Sequence, residues 1–408
     1  VSLQYLLLLI SVALAACTST SVAANNDAVT DNFKELVAFA GITFQGSKAE
    51  LASRYRYSSQ IVSEQKLNRT LYQSILASPP QHIEITPSIL DKDDGYKYAM
   101  TMLIGNEVVS VEESVINNQR VFPWLVKLSA QLVIFDIASS QLVASKSLPI
   151  LSCTDTPHQY PTSEQIKQRV YNMLLDNGCG KGVGLVNLFT EALRNIPAPT
   201  KASLTQFAVS DVIVEPAALP FLPEEFKQNN LQVMKRYIAH MLTKAISDGQ
   251  SVAIQPYTAD MSVLTMQSRF SGGEQTYNLN LPKPFYKVNF RLRGFKKMAH
   301  DVKQHGASYY YAVFSNLSVV KDSVRGEQLL FSQPLKYASI EVEPASQNTV
   351  DEWENFDKKL QVLTVALSTS LHNKNSNFFK MQGFSRAQQR EVLEQLEQVE
   401  GAYTACAL

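Results

Sequence analysis

Apolar residues recur along the chain at two spacings, every third or fourth position and every second. Within Val62 to Leu76, Leu67, Leu71 and Ile75 share one helical face, and Pro79-Pro80 stops that helix. Ile83 to Thr86 then reads as a short strand, and Tyr98 to Val111 as a longer extended run. Val126, Leu128, Ala130, Leu132 and Ile134 alternate with Lys127, Ser129, Gln131 and Val133, which predicts a half-buried strand. Asp136 to Gln141 turns the chain into a partner strand, Leu142 to Leu148. A helix follows from Thr162, with Gln165 completing a capping box and Ile166, Val170 and Met173 on its inner face.

A Pro-rich stretch around Ile196 to Thr200 interrupts the pattern, and a comparable order of elements follows. Leu231, Met234, Ile238, Met241 and Ala245 form a helical stripe ended by Gly249. Val252 to Pro256 matches Ile83 to Pro87 in position and type. A Gly272-Gly273 turn precedes the strand Tyr286 to Arg293, with Val288, Phe290 and Leu292 inward. Tyr309 to Val320 is the counterpart of Tyr98 to Val111 in this reading. Ala338, Ile340 and Val342 alternate with Ser339, Glu341 and Glu343. Thr349 and Glu352 then cap a helix with Trp353, Phe356, Leu360, Leu363 and Leu367 on one face. The recurrence predicts two related α/β (α+β) domains from a duplication, each a small mixed sheet packed by helices. A last helix runs from Arg386 to Glu400, capped by Ser385 with Gln388. Its narrow stripe of Val392, Leu396, Val399 and Tyr403 fits docking on the second domain or a partner.

Composition fits this picture. The 408 residues exceed one comfortable core, and 45% hydrophobic with 18% charged residues describes a globular chain. Lys+Arg and Asp+Glu both number 37, which argues against a general nucleic-acid binder. Residues 6–16, LLLLISVALAA, are too short for a spanning helix at ~20 residues but fit a secretory signal. Leu14-Ala15-Ala16-Cys17 resembles the lipobox of bacterial lipoproteins. That resemblance implies cleavage before Cys17, acylation of Cys17, and an outer-membrane address because Thr18 follows it. The expected organisation is a signal peptide over 1–16, a lipidated tether over 17–32, domains over 33–195 and 204–383, a linker over 196–203, and a helical tail over 384–408. In an oxidising periplasm Cys153 and Cys179 close one loop or remain buried thiols; Cys406 is left over.

The segments Met298 to Asp301, Gly306 to Tyr311 and Leu132 to Lys146 carry a further resemblance. A helix, a G-A-x-Y phrase entering a strand and an F-D hairpin resemble a periplasmic α/β module. It occurs in the Tol-system propeller protein, the curli-secretion lipoprotein, penicillin-binding-protein activator lipoproteins and the flagellar assembly T protein. Family members assemble or regulate envelope machines and are not enzymes. In this chain the two phrases lie in different halves.

Catalytic motifs fail on spacing. Gly178 to Gly184 lacks the first glycine and the hydroxyl of a P-loop. Ser318 to Lys321 matches S-x-x-K but lies in a β-like run, where the two side chains point to opposite faces. Asp91 to Gly95 departs from a calcium loop. Of six histidines only His300 and His305 are close, and no pattern suggests a metal or cofactor. One segment stands out. Lys283, Lys287, Arg291, Arg293, Lys296, Lys297 and Lys303 face a lone Asp301, with Phe285, Tyr286, Phe290 and Phe295 interleaved. Lys287, Arg291, Arg293, Lys296 and Lys297 are either a solvated face or a contact for an anionic envelope partner, such as a glycan, a lipid or an acidic protein. The expected function is a non-enzymatic scaffold for an envelope structure; the alternatives are a periplasmic hydrolase or a glycan/lipid-binding module. The oligomeric state is left open.

Overall fold

The computed structural model describes residues 34–404, apart from 65–66, 87–95, 117, 176–181, 197–198, 200–206, 251–253, 259–262, 269–274, 304–305, 324–325, 345–351 and 374–375. Residues 34–408 form one compact unit. The mixed α/β class expected from the sequence is the class found.

The first sheet is built on β1 (Glu35–Gln45), which pairs in parallel with β2 (Ile83–Thr86) and β3 (Tyr98–Val111). Antiparallel partners follow: β6 (Trp124–Asp136) on β3, then β7 (Gln141–Ser147) and β8 (Leu151–Asp155) on β6. A small hairpin, β4 (Ser114–Ile116) with β5 (Gln119–Val121), lies between β3 and β6. Helices α1 (Lys48–Arg54), α2 (Ser58–Glu64), α3 (Leu67–Ala77), α4 (Ser163–Leu175) and α5 (Leu185–Arg194) cover its outer side. Alternate residues meet those helices: Val37 and Phe39 on β1, Met100 and Met102 on β3, Val126, Leu128 and Leu132 on β6. The residues between them turn the other way, into a separate core with Ala38, Ala99, Leu103, Val133 and Phe135. The Thr162 and Gln165 capping box opens α4 as read, with Gln165 N donating to Thr162 Oγ1 at 3.2 Å.

The second sheet repeats this order and sense of strands. β9 (Phe207–Val214) pairs in parallel with β10 (Ile254–Gln255) and with β13 (Tyr286–Lys303). Antiparallel β14 (Gly306–Ser323) and β15 (Gly326–Pro344) follow. A 3-10 turn (Pro216–Phe221) and the long helix α6 (Glu224–Gln250) connect β9 to β10. Helices α7 (Glu352–Asn373), α8 (Ser376–Gln382) and α9 (Arg386–Thr404) close the core, with Trp353, Phe356, Leu360, Leu363 and Leu367 buried as expected. Val392, Leu396 and Val399 of α9 enter the same core, so its stripe is a docking face.

Three expectations need correction. Met298 to Asp301 is strand, not helix, because β13 continues to Lys303. By strand order, Tyr98 to Val111 corresponds to β13, and Tyr309 to Val320 lies in the next strand, β14. The strand over Val126 to Ile134 is buried on both faces, not half-buried.

The third correction has a physical reason in the tertiary arrangement. Between β10 and β13, the hairpin β11 (Val263–Ser268) with β12 (Gln275–Asn280) leaves the second sheet for the first. β11 pairs with β1 and β12 meets β7, closing β1, β3, β6, β7, β12 and β11 into a ring around the small core. At its other end the β6 row meets α6 and α7. There Lys127 donates to Tyr237 Oη at 2.8 Å and to Asp357, while Tyr237 donates to Asp357 Oδ1 at 2.6 Å. The stretch 204–383 thus supplies two strands and two covering helices to the stretch 33–195.

Candidate functional site

The basic segment 283–303 falls on β13. Tyr286, Val288, Phe290 and Leu292 point into the helix-covered core, so Lys287, Asn289 and Arg291 point to the opposite, open face. Neighbouring strands continue the polar row. Asn289 sits beside Asp211 of β9 on one side and Ser318 of β14 on the other, and Ser318 sits beside Ser332 of β15. Ser210 donates to Asn289 Oδ1 at 2.5 Å. The twisted face forms a shallow depression of about 620 Å³ with Lys287 and Arg291 among its lining residues.

Acidic residues from distant segments neutralise most of the local charge. Lys287 lies 2.6 Å from Glu327 and 3.4 Å from Asp322, Lys283 lies 2.7 Å from Asp322, and Arg291 lies 3.3 Å from Glu215. Hydrogen bonding to Glu327 raises the Lys287 pKa. Hydrogen bonds from Lys283 and Lys287 lower that of Asp322. These are exposed or half-exposed pairs, which fix orientation more than they stabilise.

The five candidates do not form one patch. A bulge between Leu292 and Gly294 inserts Arg293 and shifts the alternation by one residue. Phe295 therefore points inward, Lys296 remains exposed, and Lys297 turns to the helix-covered side. There Lys297 lies 2.9 Å from both Glu343 and Glu352, over the Tyr309 ring at 4.2 Å. Burial works to lower its pKa, but hydrogen bonds with Tyr311, Glu352 and Glu343 outweigh this and raise it. Among the described residues Arg293 and Lys296 form no ion pair. Lys287 and Arg291 thus share the open face, Arg293 and Lys296 are exposed beside it, and Lys297 is structural.

The arrangement can bind a hydrogen-bonding partner through fixed hydroxyls, amides and rim charges. Sequence reasoning missed Ser210, Asn289, Asn316 and Ser332, because isolated Ser and Asn carry no signal until neighbouring strands align them. Cys153 is disulfide-bonded and 2% exposed. Cys17, Cys179 and Cys406 lie outside the described residues, as do the Gly178 to Lys181 and Asp91 to Gly95 segments. Among the described residues no group of acidic, His or Cys side chains could hold a metal.

No protein-family model and no curated protein sequence matches the chain. Among solved structures, a hypothetical protein from Chlamydia trachomatis is 10% identical, covering 49% of this chain and 98% of that one at a TM-score of 0.22. A minor lipoprotein from Acinetobacter baumannii is 5% identical over 42% and 90%, with a TM-score of 0.21. A protein from Xanthomonas campestris is 10% identical over 46% and 88%, with a TM-score of 0.18. Likenesses of this size carry no functional inference.

Proposed function

We propose that this chain is a bacterial envelope protein, held at the periplasmic face of the outer membrane by acylated Cys17. It acts there as a non-enzymatic assembly or scaffold factor. Cys17 follows Leu14-Ala15-Ala16 at the end of an uncharged apolar run, the arrangement of a lipoprotein signal. Among the described residues no helix is long and apolar enough to cross a membrane; in this reading Cys17 supplies the anchor.

The observation that carries the scaffold reading is the open side of the second sheet. Four adjacent strands present Asp211, Asn289, Ser318 and Ser332 in register, flanked by Lys287 and Arg291. A hydrogen-bonding row with charges at its rim suits reversible recognition of an envelope protein or an anionic glycan. In-cell crosslinking and affinity purification should compare wild type with Cys17→Ser and with a Lys287→Ser/Arg291→Ser/Arg293→Ser variant. Recurrent envelope partners are expected in wild type and should be lost in both variants. Unchanged partners in the folded triple variant would remove this face from the proposal. Correct membrane placement with no protein partner would favour a glycan-binding module.

A further inference from the structure

Two cavities of about 390 and 270 Å³ share Arg54 and Arg236 as lining residues. Arg54 lies at the end of α1 and Arg236 in the middle of α6, so residues far apart in sequence meet here. Arg54 is largely committed: its Nη2 donates to Tyr55 Oη at 2.9 Å, and its Nη1 lies 3.4 Å from Glu50. Arg236 forms no ion pair among the described residues, and its buried Nε has no hydrogen-bond partner. Thr258, a lining residue of the smaller cavity, likewise has its Oγ1 buried without a partner. Groups in this condition carry a desolvation cost that nothing among the described residues offsets. Burial, and then the nearby Arg54 charge, pull the Arg236 pKa down to about 10, so it remains a cation at neutral pH.

The backbone is also unusual at this level. Asn230 and Leu231 of α6 hold left-handed φ values of 53° and 66°, between Gln228 of the larger cavity and Gln232 of the smaller. A leucine in that conformation is strained, and such strain is found where surrounding structure holds a functional geometry.

We infer that Arg236, Arg54 and Thr258 bind the carboxylate of a small organic acid or peptide C-terminus, with the rest of the ligand in the adjoining cavity. A guanidinium and a hydroxyl supply the donors that a carboxylate accepts. Charge balance selects a carboxylate over a phosphate dianion. The smaller cavity, which holds Thr258, is lined by Arg54 and Arg236 against Glu50, a surplus of one positive charge that a carboxylate neutralises and a phosphate dianion exceeds; Arg56, Glu107 and Glu225 line only the larger cavity. Glu107 is occupied with Tyr57 N, Ser58 N and Ser58 Oγ, and Glu225 accepts from Ser110 at 2.9 Å; neither reaches Arg236. The site is independent of the docking face proposed above.

Isothermal titration of the purified full chain tests this with acetate, N-acetylalanine, N-acetylalaninamide and inorganic phosphate. N-acetylalanine or acetate should bind. The amide should be about tenfold weaker, because it removes the charge-assisted bond. Preference for N-acetylalanine indicates a peptide C-terminus, and preference for acetate a small acid. Arg236→Gln should weaken carboxylate binding by about tenfold and Thr258→Val by about threefold. Thermal unfolding without ligand should show Arg236→Gln as stable as wild type, separating loss of the site from loss of the fold. Three results would overturn the assignment: no carboxylate binding up to about 10 mM, equal binding of the amide, or preference for phosphate. Unchanged carboxylate binding in both variants would do so too.

Discussion

Removing one side of the Lys127–Asp357 pair should expose how far the two halves depend on each other. The two side chains are 4% and 6% exposed. Asp357 accepts from Lys127, from Tyr237 at 2.6 Å and from Gln361 at 2.7 Å. Asp357→Leu leaves the Lys127 ammonium buried without a counter-charge, a change that costs about 3–5 kcal/mol. The compact unit holds 375 residues, counting 34 to 408 inclusive, and two-state unfolding of that unit is the reference. At about 2.1 cal/mol/K per residue its unfolding entropy is roughly 0.8 kcal/mol/K, so Tm should fall by about 4–6 °C. The double variant Lys127→Met/Asp357→Leu removes both charges and should recover most of that loss, since an apolar replacement of a buried pair is often neutral or stabilising. Urea and thermal denaturation of the four proteins in the cycle would measure the coupling. A single-variant loss under about 1 kcal/mol would refute the reasoning. So would a double variant no more stable than Asp357→Leu.

Two further outcomes follow from local environments. His240 is 6% exposed, with burial pulling its pKa to about 4 from 6.5 despite a contact to Leu148 O at 3.3 Å; nearby Lys244 acts in the same direction as burial. The unfolded chain therefore takes up a proton that the folded chain refuses, and stability should be lost as pH falls from 6.5 to about 4, by about 3 kcal/mol. His240→Gln should flatten that part of the stability profile measured by urea titration at several pH values; an unchanged slope would discard the assignment. Gly46 has φ of +115°, and a Cβ there would lie 2.4 Å from Arg54 Nη1 and 2.8 Å from Glu50 Oε2. Gly46→Ala should therefore lower stability by about 1–3 kcal/mol and disturb the carboxylate site. Wild-type unfolding together with wild-type ligand binding would contradict this.

Much of the framework was legible because its signals are local. The Thr162–Gln165 and Ser385–Gln388 capping boxes lie within four residues, and both form. The run Tyr98 to Val111 matches β3 because continuous apolar character fits a strand covered on both faces. The inward and outward alternation read for β13 holds through Leu292, and a bulge then shifts it. The bulge at Arg293 is set by pairing with β14, and a one-residue shift exchanges the two faces of every following position. The 283–303 charge surplus was legible as sequence, but Glu215, Asp322, Glu327, Glu343 and Glu352 reach it from other segments.

By itself, then, the sequence determined the mixed α/β class, the alternation of helices and strands, and the apolar faces of α7 and α9. Periodicity and capping depend on neighbours within a turn or two. Tertiary structure alone decided that β11 and β12 close the first sheet, that Lys127 is buried against Asp357, and that Arg54 meets Arg236. Each of those depends on partners more than 130 residues away, and only the packed chain brings opposite charges, orphaned donors and sheet edges within bonding distance.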